Sequence, residues 1–131
     1  FSSIALLDIA HFKQINDQLG HARGDTVLQA FAQACKRVLR SNDTLARWGG
    51  EEFLLLMPET RALDAAIIVN RILQHVNSMP FQFEEATVTI TFSAGVAERR
   101  QDENMGEAVM RADRAMYAAK TAGRNRVIRD A

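Results

Sequence analysis

The chain has 131 residues, 47% of them hydrophobic and 24% charged, enough for one core and one domain but too few for two. Equal numbers of basic and acidic side chains leave a formal net charge of zero. That excludes a global basic field suited to polymeric nucleic acid or an anionic membrane, so any polyanionic ligand must be held by locally placed cations. The single cysteine, Cys35, sits in an apolar helical pattern, where a buried inert thiol in a reducing compartment is expected rather than a nucleophile. His11, His21 and His75 are scattered without the spacing of a zinc site. No apolar run reaches membrane-spanning length and no signal-peptide pattern opens the chain. Phe1 stands almost inside a strand with no initiator Met before it. The expectation is a single domain over residues 1–131, cut from a longer multidomain protein.

In chain order, Ile4, Ala5, Leu6 and Leu7 form a short apolar run ending in Asp8, the pattern of a buried central strand. Phe12, Ile15 and Leu19 share one face of a first helix over 11–19, with Gly20 as its stop. Gly24 and Asp25 are read as opening a second helix in which Val27, Leu28, Phe31, Cys35, Val38 and Leu39 recur at helical spacing. Residues 44–48 and 52–57 form a hairpin about Gly49 and Gly50, and Pro58 ends its second strand. Ala65, Ile68, Val69, Ile72, Leu73 and Val76 mark a third helix. Residues 87–97 alternate and predict one long strand, with Val88, Ile90, Phe92, Ala94 and Val96 on helices and a more polar opposite face. An Ala-rich helix over 107–122 stops at Gly123, and Arg126, Val127 and Ile128 supply an edge strand. The order β-α-α-β-β-α-β-α-β suits an α/β (α+β) domain, a mixed sheet with helices packed on it.

The turn Arg47-Trp48-Gly49-Gly50-Glu51-Glu52-Phe53 is the most informative segment. Glycine tolerates φ > 0 and leaves the main chain open to a phosphate or base. Adjacent carboxylates repel each other, and a divalent cation relieves that repulsion. A plain hairpin with two solvated acids fits this turn equally well. Asp8, between a central strand and a helix, can share a cation with Glu51, with the Ile9 carbonyl as a further hard oxygen; such donors favour Mg²⁺ or Mn²⁺. A helix-capping acid is the competing reading of Asp8. The helix start around His11, Phe12 and Lys13 offers free N–H groups and an ammonium to phosphate. Lys120 and Arg124 bracket Gly123, where they can bind phosphate or simply complement the helix dipole. Asn16 and Asp25 form an amide–carboxylate pair suited to a guanine edge, although Asp25 also reads as an N-cap.

Five blocks stand in the order of one family. They are Asp8-Ile9-Ala10-His11-Phe12-Lys13-Gln14-Ile15-Asn16-Asp17, Gly20-His21-Ala22-Arg23-Gly24-Asp25, the Gly-Gly-Glu-Glu turn, Ser93-Ala94-Gly95-Val96-Ala97, and Tyr117-Ala118-Ala119-Lys120-Thr121-Ala122-Gly123-Arg124-Asn125-Arg126. Together they resemble the GGDEF domain of bacterial diguanylate cyclases, in its GGEEF variant. The resemblance implies a nucleotidyl-cyclase palm, a ferredoxin-like fold with a largely antiparallel sheet. It also implies condensation of two GTP into cyclic di-GMP with loss of two pyrophosphates, in a cytoplasmic homodimer. Asp8, the Ile9 carbonyl and Glu51 would hold Mg²⁺ or Mn²⁺. Glu52 would be a second metal-site acid or assist deprotonation of the ribose 3′-hydroxyl. Asn16 and Asp25 would read guanine. Phe12, Lys13, Lys120 and Arg124 would hold phosphates beside the open Gly49-Gly50 turn.

Arg40-Ser41-Asn42-Asp43 matches the family's RxxD inhibitory product site, with Arg71 as its further arginine. Arginine forks pair with phosphate and stack on guanine. Ala10 stands where the family usually has a second acid, and the family's leader helix is missing before Phe1. These departures motivate a second reading, a catalytically weak or inactive module that senses cyclic di-GMP or GTP. Relaxed choice of purine nucleotide is a third.

Overall fold

Ile4, Ala5, Leu6 and Leu7 are buried on both faces of strand β1 (Ser2–Ile9), because β1 lies at the centre of the sheet. The computed structural model describes residues 1–84 and 86–130. After β1 come α1 (Phe12–Leu19), α2 (His21–Val38), β2 (Thr44–Gly49), β3 (Glu52–Pro58), α3 (Ala62–Asn77), β4 (Pro80–Gln82), β5 (Thr87–Thr89), β6 (Phe92–Glu98), α4 (Met105–Thr121) and β7 (Arg126–Arg129). The main sheet runs β2-β3-β1-β6-β7. Its first four strands pair antiparallel and β7 joins β6 parallel at one edge.

The two-residue side-chain period divides the core. Ala5, Leu7 and Ile9 of β1 join Phe53, Leu55 and Met57 of β3 and Phe92, Ala94 and Val96 of β6 beneath α2 and α3. Phe31 of α2 is the pivot there, with its ring centroid 5.0 Å from Phe53 and 5.5 Å from Phe92. Burying each such ring is worth about 1.5–3 kcal/mol. Ile4, Leu6, Leu54 and Ala97 point the other way, onto Ala108, Ala112 and Met116 of α4. The expected mixed, largely antiparallel sheet flanked by helices is what the chain forms.

Four local expectations need correction. The long strand over 87–97 is two strands: β5 pairs with β4 in a separate two-stranded sheet, and β6 enters the main sheet. Between them Ile90 is buried and the Thr91 carbonyl accepts the Ala10 N–H at 2.9 Å, so the chain changes partners without interrupting its side-chain alternation. The element order therefore gains a hairpin. The supposedly polar face of β6 is also buried, because Ser93 is 1% exposed and Gly95 lies against α4. Next, α2 begins at His21, with Gly20 as its N-cap at φ 88°, so Asp25 is inside the helix rather than its cap. Finally, α4 starts at Met105 behind a capping box, in which Asn104 accepts from the Glu107 N–H and Glu107 answers the Asn104 N–H.

Candidate active site

Alternation along the strands decides which polar groups meet at one end of the sheet. Asp8 continues the α4-facing row of Ile4 and Leu6; Glu52 continues that of Leu54; Ser93 continues that of Gly95 and Ala97. In register, Asp8 lies opposite Glu52 on β3 and opposite Ser93 on β6. A row Glu52–Asp8–Ser93 thus crosses three strands under the last turn of α4. From that turn the Lys120 Nζ donates to Asp8 Oδ2, with side-chain exposures of 27% and 10%. Burial lifts the Glu52 carboxyl above its ordinary range, and the Asp8 charge adds to this, with Lys120 partly offsetting it.

Glu51 lies in the turn itself, and its carbonyl accepts the Ile9 N–H at 3.2 Å. The chain therefore brings Asp8, Ile9 and Glu51 to one corner. Among the described residues, no three His, Cys, Asp or Glu side chains gather as a metal cage. Neither Gly49 nor Gly50 has φ > 0, contrary to the conformational reason for expecting glycine here. A Cβ on either would meet nothing within 4 Å. What they contribute is an unobstructed main chain. Arg47 braces the turn, its Nε donating to the Gly50 carbonyl at 2.9 Å.

On the opposite layer, His11 caps α1 in the left-handed region at φ 56°. The Phe12 and Lys13 N–H groups have no backbone carbonyl among the described residues, an open helix start suited to phosphate. The Phe12 side chain is buried in the core, so only its main chain can serve there. Asn16 Oδ1 is buried without a hydrogen-bond partner among the described residues. It sits against Gly24, where an added Cβ would lie 1.8 Å away; the glycine inside α2 makes room for the amide. Asp25 lines a cavity of about 400 Å³ with Leu28, Gln29, Leu45, Arg47 and Phe53. Arg47 is thus common to the cavity wall and the turn. Lys120 is engaged by Asp8, whereas Arg124 is exposed, at φ 62° in the turn after α4.

Arg40 and Asp43 close on each other. Arg40 Nε and Nη2 donate to the two carboxylate oxygens at 3.0 and 2.7 Å, and the Arg40 N–H adds a bond of 2.9 Å. Burial pushes the Asp43 carboxyl up, but these bonds outweigh it and hold it below its ordinary range. Arg71 is exposed on α3 and, among the described residues, makes no hydrogen bond with either of them. Sequence reasoning missed Thr60, whose hydroxyl donates to the Pro58 carbonyl at 2.8 Å and accepts from Arg40 Nη2 at 2.6 Å. It also missed buried Arg111, which binds Glu103 and Asp130. The signal for the latter was an arginine within an otherwise apolar helical stripe. Cys35 is as inert as expected, since burial pushes its thiol up to about 12.

Residues 2–126 match the family described as diguanylate cyclase, GGDEF domain. The chain belongs to the GGDEF family. This GGDEF domain is 44% identical over 125 residues to the diguanylate cyclase DgcP of Pseudomonas aeruginosa, covering 95% of this chain and 18% of that protein. The GGDEF domain of DgcB from Caulobacter crescentus, solved in complex with c-di-GMP, matches with a TM-score of 0.93 at 38% identity, over 98% of this chain and 77% of that one. The active GGEEF domain of a diguanylate cyclase from Vibrio cholerae matches with a TM-score of 0.91 at 35% identity, over 99% of this chain and 83% of that one. The GGDEF domain spans about a fifth to a third of the length of curated relatives such as DgcP. Among the described residues, no helix is long and apolar enough to cross a membrane.

Proposed function

We propose that this chain is the catalytic domain of a diguanylate cyclase, condensing two GTP into cyclic di-GMP and two pyrophosphates. The carrying observation is the cross-strand register of Asp8 with Glu52, beside the Glu51 carbonyl bonded to Ile9. The Asp8 and Glu51 carboxylates and a main-chain carbonyl are hard donors, and the Asp8 charge, which adds to the burial that raises the Glu52 carboxyl, is what a small divalent ion relieves. The residues therefore fit Mg²⁺ or Mn²⁺, held by Asp8, Glu51 and the Ile9 carbonyl. Such an ion supplies neutralisation of phosphate charge and a more reactive 3′-oxygen.

This chain's residues do the rest by positioning. Asn16, packed against Gly24, and Asp25, the next residue along α2, take the guanine edge. The open start of α1, Lys13 and Arg124 hold phosphates, joined by Lys120 once its hold on Asp8 is exchanged for an anionic ligand. Glu52, kept less acidic by burial, is suited to accept the 3′-hydroxyl proton. Because the reaction joins two nucleotides and one chain offers one such set of groups, two copies must face each other. Arg40, Asp43 and Arg71 form the inhibitory product site; the c-di-GMP complex of the DgcB domain supports product recognition on this fold. The domain is read as one cytoplasmic unit of a larger protein.

Incubation of a dimerised chain with GTP and Mg²⁺, followed by chromatography, tests the reading. Cyclic di-GMP should accumulate in the parent and not in Glu52→Gln, whose fold should be unchanged. A folded, dimeric parent that makes none would overturn it. The sensing alternative rests on Ala10, and its mark would be Arg40- and Asp43-dependent product binding with no turnover.

A further inference from the structure

Ser93 is 1% exposed, and its hydroxyl has no hydrogen-bond partner among the described residues. A buried orphan hydroxyl costs stability and calls for a reason. Its surroundings supply one. Ser93 is in antiparallel register with Asp8, so the two side chains are cross-strand neighbours about 4.5–5.5 Å apart at Cβ. Both lie on the α4-facing side of the sheet, two residues along β6 from Gly95, whose missing Cβ would strike the Ala112 carbonyl and the Met116 N–H. One further turn of α4 brings Lys120 over the same row, where its ammonium is bound to Asp8 Oδ2. In this state Asp8 Oδ2 is held by Lys120, and the serine hydroxyl has no partner among the described residues.

We propose that Ser93 is a positioning residue for the Asp8 carboxylate in the cation- and nucleotide-loaded site. This rests on the cyclase reading given above. When polyphosphate draws the Lys120 ammonium away, Asp8 loses the bond that fixes its orientation. The Ser93 hydroxyl, an O–H donor on the adjacent strand, then takes over. A donor to a carboxylate gives a charge-assisted bond, stronger than a neutral one. It holds Asp8 aimed while one of its oxygens serves the cation. Nothing but rotation of the hydroxyl and its χ1 is required, since the strands are already in register. The serine thus has no partner among the described residues of the free protein and gains one in the loaded site, so its removal has opposite consequences in the two states.

The test compares the parent chain with Ser93→Ala and Ser93→Thr. Thermal unfolding is measured without ligand, and Mn²⁺ binding by calorimetry with a non-hydrolysable GTP analogue at saturation. The expected result is a free Ser93→Ala chain as stable as the parent or more so. Its Mn²⁺ binding should be about tenfold weaker, and Ser93→Thr should restore most of that affinity. Ser93→Ala binding Mn²⁺ like the parent would overturn the inference, as would a free Ser93→Ala chain that is markedly destabilised or unfolded. A parent that binds no Mn²⁺, or binds it equally well as Asp8→Asn, overturns the cation-site reading itself and the inference with it.

Discussion

Gly95→Ala is the most exacting perturbation the structure offers away from the reacting groups. A Cβ on Gly95 would lie 2.0 Å from the Ala112 carbonyl oxygen, 2.2 Å from the Met116 nitrogen and 2.8 Å from the Ala115 carbonyl carbon. All three are backbone atoms of α4, so no rotamer change relieves them. The helix must lift by about 1 Å or more to restore ordinary contact. It would then loosen the layer that Ile4, Leu6, Leu54 and Ala97 form with Ala108, Ala112 and Met116. Overpacking of this kind costs about 3 kcal/mol, the upper end of its usual range, because the obstruction is main chain. At about 2.1 cal/mol/K per residue, a chain of 131 residues loses about 11 °C in Tm. Differential scanning calorimetry reads this directly. Turnover at a temperature where the variant stays folded should fall as well, because Lys120 rides on α4 and is carried away from the row where it would meet phosphate. A Tm within about 3 °C of the parent would refute the close approach of β6 and α4.

Gly50→Ala should leave Tm within about 2 °C, since no positive φ and no neighbour stands against a methyl group; the KM for GTP should nonetheless rise. An unchanged KM would show that the open main chain is not used. Lys120→Met should destabilise the chain by about 1–3 kcal/mol in urea titration, because it strips the bond from a carboxylate whose side chain is 10% exposed and faces Glu52. A stability equal to the parent's would contradict that pairing. Hydrogen bonds from Arg111 and from the Arg100 N–H hold the Glu103 carboxyl down to about 2 against an ordinary 4.5. Its contribution is therefore full above pH 4.5 and drains away as pH falls toward 2. Glu103→Gln should be weaker than the parent at neutral pH and flatter across that acid window. Urea midpoints that run parallel in the two proteins would refute it.

The elements that the sequence discloses are those whose signal is local. The apolar run ending in Asp8, the glycine hairpin and the spacing of Ala65 through Val76 each carry their own periodicity, and each forms as expected. The break after Thr89 was hidden because side-chain alternation passes unbroken from Val88 to Val96 while the backbone changes sheets. Gly24 read as a helix opener because its true reason is tertiary: Asn16, on another helix, occupies the space a side chain would fill. Asp8 and Glu51 were legible as a possible pair, but no local pattern links Asp8 to Lys120, whose ion pair spans 112 positions. The capping box at Asn104 and Glu107 was readable by its spacing and would have placed the start of α4 correctly. Thr60 and Ser93 matter only through partners that folding brings beside them.

Strand β2 lies at the rim of the main sheet, and its pairing with β3 slips between Arg47 and Gly49, leaving Trp48 as an extra residue. Such an irregularity sharpens local twist and interrupts the regular comb of amide and carbonyl groups that an incoming strand would need. Arg47, turned back onto the Gly50 carbonyl, ties that corner to itself and adds charge to the rim. The corner that leaves backbone bare for a small anion is thereby a poor template for another chain's ribbon. The open main chain of Gly49 and Gly50 and the interrupted pairing at Trp48 thus share one corner of the sheet.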